Sequence, residues 1–304
     1  MTEQSQSHTI QKPPRLAMIS SLAGLGHVSL TAALPVVSVL GVQPCPLPSS
    51  ILSGHLAYPA VYKTDLTGQM AEYLAVWEKL NTRFDGMYIG YLADAGQAAL
   101  LTEILDRKYT GEKNSPAALL SGNRLLAPHA RVLVDPVMAD HGKPYASVTR
   151  AHIDSMKKLA ALADILTPNL TEACLLTATP YREDGWDIPS LTELCRKLDP
   201  ESQKQIVITG VKTESYLCNF LWEHGAIAAV TYENAGASRP GTGDIFASIL
   251  ASHMVLGHDL ETAAKQATAF ISACIADSEE AGILLREGVL LEPNLYRLMP
   301  PQTD

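Results

Sequence analysis

Short apolar runs with the composition of strands recur along the chain, at Leu16–Ser20, Met87–Gly90, Val132–Asp135, Asp164–Thr167 and Ile206–Thr209. Each is followed by apolar residues at helical spacing. Strand alternating with helix predicts an α/β fold with a central, mostly parallel sheet and helices on both faces, because a parallel strand is reached only by a crossover. Two further runs, Leu217–Trp222 and Ala226–Val230, are separated by Glu223, His224 and Gly225 and predict a hairpin at a sheet edge. Beyond it, Asp244–Leu256 and Leu260–Ser278 carry apolar positions at helical spacing (Phe246, Ile249 and Leu250; Ala267, Phe270, Ile271 and Cys274) and predict two packed helices joined by a turn at Gly257. The polar stretches Tyr109–Arg124 and Tyr181–Ser190 read as surface loops. Residues 1–14 are polar and end in Pro13-Pro14, a tail before one domain over residues 15–304. In a doubly wound sheet, ligands bind at the carboxyl ends of the strands, so functional residues are expected there.

Composition narrows the partners. The chain has 304 residues, 47% hydrophobic and 18% charged, enough to bury a sizeable core. Its 23 Lys and Arg against 32 Asp and Glu give a net charge of -9, and no basic run offers a track for nucleic acid. An acidic protein that binds a polyanion must do so locally, with backbone amides, a metal and one or two cations. The cysteines Cys45, Cys174, Cys195, Cys218 and Cys274 contain no C-x-x-C pair and read as reduced core residues. A signal-peptide apolar region and a membrane-length apolar run are both lacking, so the expected location is cytoplasmic, away from membranes.

The strongest chemical signal is Gly241-Thr242-Gly243-Asp244, which follows Pro240 and opens a helix. Glycines let the backbone turn so that consecutive N–H groups face one space, and a helix N-terminus adds partial positive charge there. A carboxylate at the mouth of that anion hole is placed to accept the proton of a hydroxyl attacking a phosphoryl group. The alternative is that Asp244 merely caps the helix. A second element, Asp135-Pro136-Val137-Met138, and a third, Thr167-Pro168-Asn169-Leu170-Thr171-Glu172, end two strands with carboxylates. Asn169 and Glu172 share a helix face and have the spacing to orient a hydrated Mg²⁺, or to cap the helix. After the first strand, Ser21-Leu22-Ala23-Gly24-Leu25-Gly26-His27 has neither the G-x-x-x-x-G-K-[ST] nor the G-x-G-x-x-G pattern. It reads as a substrate wall, with the Ser21 hydroxyl lining it. His27 and His55 follow early strands in loops and have no partner at metal-ligand spacing, which favours structural roles.

Together these motifs, with Gly90-Tyr91-Leu92 and the Ser21–His27 loop, resemble the ribokinase superfamily and within it the pyridoxal kinase family, over about Arg15 to Ser278. The resemblance implies a ribokinase-like fold and transfer of the γ-phosphoryl group of ATP to the 5'-hydroxymethyl group of pyridoxal, pyridoxine or pyridoxamine. It also implies Mg²⁺, the K⁺ that such kinases often use, and a homodimer. By resemblance, Asp244 is the base and Gly241, Thr242 and Gly243 form the anion hole. Asp135, Thr167, Glu172 and Lys212 lie on the nucleotide side, with Asn169 and Glu172 holding Mg²⁺ through water. Ser21, His55 and Tyr91, with Asp244, lie on the vitamer side. The chain departs from the family at Val28-Ser29, where a small pair ending in Asn is common, at Leu56, where Thr is common, and at Gly210, where Lys is common, although Lys212 lies two residues on. The neighbouring alternative is a hydroxymethylpyrimidine kinase, in which the anion-hole turn commonly ends in Cys instead of Asp. An inactive ligand-binding homologue is the alternative of another class, and it would have no use for a base.

Overall fold

Alternation along the central strands decides which face each helix covers. The computed structural model describes residues 12–110, 125–213 and 216–299. In β1 (Arg15–Ala23), Ala17 and Ile19 join one apolar cluster, while Leu16 and Met18 join the other. The same division recurs in β4 (Phe84–Ile89), with Met87 and Ile89 against Tyr88, and in β5 (Leu126–Val134), with Val132 and Val134 against Leu133. Strands buried on both faces need cover on both. The first cluster takes apolar faces from α2 (Thr67–Lys79), α3 (Ala95–Thr110), α4 (Arg150–Ala161), α5 (Leu170–Thr177) and α6 (Ile188–Leu198). The second takes α1 (Ser29–Val39), α7 (Thr242–Leu256) and α8 (Leu260–Glu280).

The sheet also contains β2 (Gln43–Leu52), β3 (Lys63–Asp65), β8 (Ile165–Leu166), β9 (Gln205–Lys212), β10 (Leu217–Glu223) and β11 (Ala226–Tyr232), in the order β11-β10-β9-β8-β5-β4-β1-β2-β3. The six strands from β9 to β2 are parallel, and antiparallel β3 and the β10–β11 hairpin flank them. A separate short hairpin, β6 (Ala139–Asp140) and β7 (Lys143–Pro144), follows the exit of β5. The expected α/β fold and edge hairpin are therefore present. Among the described residues no helix is long and apolar enough to cross a membrane.

Two expectations need correction or restriction, and one strand, β2, lies outside the runs read from the sequence; it contains Pro44, Pro46 and Pro48, which have no N–H to donate to a ladder. Alternating prolines all turn their nitrogens to the same side, while the Gln43 N–H, on the other side, donates to the Pro14 carbonyl at 2.8 Å, so pairing with β1 survives. The loop expected over Tyr181–Ser190 is shorter, because Asp187 accepts from the Ser190 N–H at 2.9 Å and starts α6 at Ile188. Of the loop expected over Tyr109–Arg124, α3 takes the first two residues, and 111–124 lie outside the described residues, as do 1–11 of the expected tail.

Candidate active site

The turn before α7 is fixed by one glycine. Gly241 has φ +88°, and a Cβ there would fall 1.7 Å from the His27 carbonyl oxygen, so no other residue fits without moving the loop after β1. Gly243 differs from the expectation that both glycines serve the turn: it lies inside the helix, exposed, and a Cβ would meet nothing within 4 Å. The Ile245 N–H already reaches the Gly241 carbonyl at 3.0 Å. Helix geometry leaves the N–H groups of Thr242, Gly243 and Asp244 without intrahelical partners, so they and the helix dipole face the open space beside Gly243. Thr242 contributes only its N–H, because its hydroxyl donates to the Arg239 carbonyl at 3.0 Å.

Asp244 is not a helix cap. The N-cap is Gly241, and no side chain caps this end. The Asp244 carboxylate accepts from the Ser29 N–H, while its Oδ1 is buried without a hydrogen-bond partner. Burial pushes its pKa up to about 6, against the lowering effect of the Ser29 N–H. Ser29 is itself held in the left-handed region, φ +49°, and its hydroxyl accepts from Ser21 at 2.9 Å. Asp135, at the exit of β5, accepts from the Thr167 hydroxyl at 3.1 Å. Burial, and next the charge of Asp244, push Asp135 up to about 8. The buried Tyr88 phenol, its hydroxyl unpartnered, is raised by burial and by Asp244 and Asp135.

Glu172 and Asn169 form a reciprocal capping box. The Glu172 carboxylate accepts from the Asn169 N–H at 2.9 Å and the Met138 N–H at 3.0 Å, and Asn169 Oδ1 accepts from the Glu172 N–H at 3.0 Å. Asn169 Nδ2 also donates to the Ala139 carbonyl at 2.8 Å. The pair thus joins the exit of β5 to the start of α5, and burial beside Asp135 raises the Glu172 pKa well above its ordinary value. Among the described residues, no ion pair involves Asp135, Glu172 or Asp244, and no three His, Cys, Asp or Glu side chains converge as a metal cage. Buried carboxylates without a protein cation suit a hydrated divalent ion arriving with phosphates better than a dehydrated one.

Just after β4, the Tyr91 N–H donates to Ser20 Oγ on β1 at 3.1 Å and its carbonyl accepts from the Ser49 hydroxyl on β2 at 2.7 Å, so the residue is fixed across three strands' ends. His55 has no free nitrogen: Nδ1 accepts from the Ala57 N–H at 3.3 Å and Nε2 donates to the Arg286 carbonyl at 2.5 Å. Its nitrogens are structural, and only the ring remains as a wall. Lys212 is exposed at the end of β9, opposite Leu217, and no bond among the described residues joins it to Asp135, Thr167 or Asp244. Sequence reasoning missed Ser29, Tyr88, Lys63 and Arg239. Buried Arg239 donates to the carbonyls of Ile283 and Gly288 and to Glu279, each at 3.0 Å, and folds residues 283–288 over the Gly241 turn. Its position two residues before Gly241 was the available signal.

Residues 118–286 match the phosphomethylpyrimidine kinase family. The pyridoxine/pyridoxal/pyridoxamine kinase of Bordetella bronchiseptica is 25% identical over 285 residues, 89% of this chain and 91% of that protein. A Bacteroides thetaiotaomicron protein designated a phosphomethylpyrimidine kinase has a solved structure that superposes with a TM-score of 0.85 at 32% identity, covering 97% of this chain and 98% of that one. A second crystal form of that protein holds pyridoxal. The pyridoxal kinase of Leishmania donovani, solved with ADP and pyridoxamine, shares the fold at a TM-score of 0.73 and 22% identity, covering 95% of this chain and 97% of that one. The chain therefore belongs to the phosphomethylpyrimidine kinase family, on the ribokinase-like fold that it shares with the pyridoxal kinases.

Proposed function

We propose that the chain is a pyridoxal kinase that transfers the γ-phosphoryl group of ATP to the 5'-hydroxymethyl group of a B6 vitamer. The observation that carries this reading is the Asp244 carboxylate, whose buried, unpartnered Oδ1 lies at the N-terminus of α7 beside three free N–H groups. The vitamer hydroxyl oxygen attacks the γ-phosphorus, its proton passes to Asp244, and the bond to the bridging oxygen of ADP breaks. A base with a pKa of about 6 is mostly ionised near neutral pH yet still basic enough to take that proton. The N–H groups of Thr242, Gly243 and Asp244 hold the charge gathering on the phosphoryl oxygens.

Asp135, Thr167, Glu172 and Lys212 belong to the nucleotide side in this reading, with Asn169 positioning Glu172. Each Glu172 oxygen that accepts one N–H keeps a second lone pair, so Glu172 and Asp135 would hold Mg²⁺ through water. That ion supplies charge neutralisation for the phosphates. Ser21 and Tyr91 contact the vitamer, and the His55 ring walls it in. K⁺ activation and a homodimer belong to the same proposal.

The family match favours a second reading, a hydroxymethylpyrimidine kinase. Against it stands Asp244 at the place where such kinases commonly carry Cys. An ADP-release assay with pyridoxal, pyridoxine, pyridoxamine and hydroxymethylpyrimidine tests the choice. Higher kcat/KM with a B6 vitamer is expected, and preference for hydroxymethylpyrimidine would overturn the proposal.

A further inference from the structure

Lys63 is a cation that the proposed phosphoryl transfer does not use. It lies on β3, half-buried, with Nζ donating to the Tyr91 hydroxyl oxygen at 3.1 Å and sitting 5.4 Å from that ring's centroid. No carboxylate neutralises it among the described residues. Two carboxylates, Asp65 two residues on and Asp94, which with Lys63 acts on His152, are engaged elsewhere. Asp65 Oδ1 accepts from the Thr67 N–H at 2.6 Å and from its hydroxyl at 2.5 Å, opening α2. Asp94 Oδ1 accepts from the Gly96 N–H at 2.6 Å, opening α3.

An ammonium has three donors and no acceptor, and one donor here goes to Tyr91. Because the Tyr91 oxygen accepts that bond, its own O–H is free to donate in another direction. Tyr91 in turn is held rigidly, with its backbone bonded to Ser20 on β1 and Ser49 on β2. The result is a fixed corner of donors with net positive charge, on the same end of the sheet as the carboxylates Asp135 and Asp244 but opposite in sign. Such a corner selects an anionic oxygen on a planar ligand.

Resting on the kinase reading above, we infer that Lys63 and Tyr91 form a specificity site for the ionised 3-oxygen of the vitamer ring. A 3-hydroxypyridine with a protonated ring nitrogen carries that oxygen as an oxide. Hydroxymethylpyrimidine has a neutral ring nitrogen where the vitamer has the carbon bearing this oxygen, so it offers the ammonium no negative charge. With the oxide at Lys63 and the hydroxymethyl group at Asp244, the ring has one orientation, so Lys63 decides which heteroaromatic alcohol is turned over.

The test compares pyridoxine with 3-deoxypyridoxine, its analogue lacking the 3-oxygen, and with hydroxymethylpyrimidine, in the full-length enzyme with MgATP. Lys63→Met keeps the aliphatic stem and removes the charge. It should lower kcat/KM for pyridoxine by about tenfold or more, the scale of a hydrogen bond to a charged group, and leave 3-deoxypyridoxine within about twofold. Lys63→Arg should keep most of the preference for pyridoxine. Equal losses on pyridoxine and 3-deoxypyridoxine, or no loss on either, would overturn the inference and leave Lys63 as packing for Tyr91. A wild-type enzyme active on hydroxymethylpyrimidine and on no B6 vitamer overturns the kinase reading itself, and this site with it, and is seen before any variant is made.

Discussion

Two glycines only two positions apart, Gly241 and Gly243, offer a test that separates folding from phosphate binding. In Gly241→Ala the new Cβ would lie 1.7 Å from the His27 carbonyl oxygen in a residue at φ +88°. The left-handed conformation alone disfavours Ala by about 1 kcal/mol, and the collision is with backbone, which must move. A loss on the order of 3 kcal/mol is expected, with activity falling too, because the displaced loop carries Ser21 and Ser29. Gly243→Ala meets nothing within 4 Å and sits inside α7. Ala is better than Gly in a helix by about 0.5–1 kcal/mol, which in a chain of this size raises Tm by roughly 1–2 °C. Yet helical Cβ atoms tilt toward the N-terminus, so this one leans over the free N–H groups. If phosphates bind there, kcat/KM for ATP should drop on the order of tenfold to hundredfold while stability rises. Scanning calorimetry and initial rates at varied ATP read both quantities. A Gly243→Ala protein with unchanged kcat/KM for ATP would show that the phosphates do not sit at the N-terminus of α7.

Asp244→Asn should fold and still bind ATP, with kcat reduced about 10²- to 10⁴-fold; near-normal turnover would remove Asp244 from the chemistry. Because the base must be ionised and its pKa is raised to about 6, wild-type kcat/KM should fall as pH drops through about 6, and an acid limb nearer 4 would contradict its burial. Asp135 has a folded pKa of about 8 against an ordinary 3.8, so the folded state holds the proton longer and this group's contribution to stability declines as pH rises from about 4 to 8. Asp135→Asn should therefore unfold at higher urea than wild type at pH 8, with the gap closing near pH 4; a gap independent of pH would refute this. Ser21→Ala should raise KM for the vitamer about 2- to 10-fold through one lost hydrogen bond, with KM for ATP unchanged, and equal effects on both would mark the loop as structural.

The parts of this fold legible in the sequence are those that depend on local chemistry. Apolar runs such as Val132–Asp135 reveal central strands because both faces of such a strand are buried. The Gly241–Asp244 turn is legible because a glycine before a helix has few other uses. β2 is not, since its alternating prolines are harmless only when their nitrogens all face away from β1. Gly243 looks like Gly241 in sequence, and only the open space around it distinguishes the two. Ser29 is unreadable for another reason: its N–H reaches Asp244 across more than two hundred residues, through a backbone conformation that nothing in Val28-Ser29 announces. His55 and Glu172 show the limit of residue type as a guide. Each carries chemically capable atoms, but the backbone groups that engage them come from the turn at Leu285–Glu287 and the exit of β5.

Environment divides the roles of the two central carboxylates. Asp244 keeps one N–H donor, from Ser29, and is raised to about 6, whereas Asp135 has the Thr167 hydroxyl and the charge of Asp244 beside it and is raised to about 8. Near pH 7 the first is mostly charged and the second mostly protonated, so only Asp244 is ready to accept a proton, and Asp135 becomes charged when positive charge arrives beside it. A protein that only bound a neutral vitamer would gain nothing from this arrangement. Burying carboxylates without cations destabilises the fold, and apolar residues of similar size would hold a flat ring as well. The arrangement makes sense when the missing positive charge comes with the nucleotide, which ties ionisation of the nucleotide side to its occupancy and leaves the proton-accepting side ready beforehand.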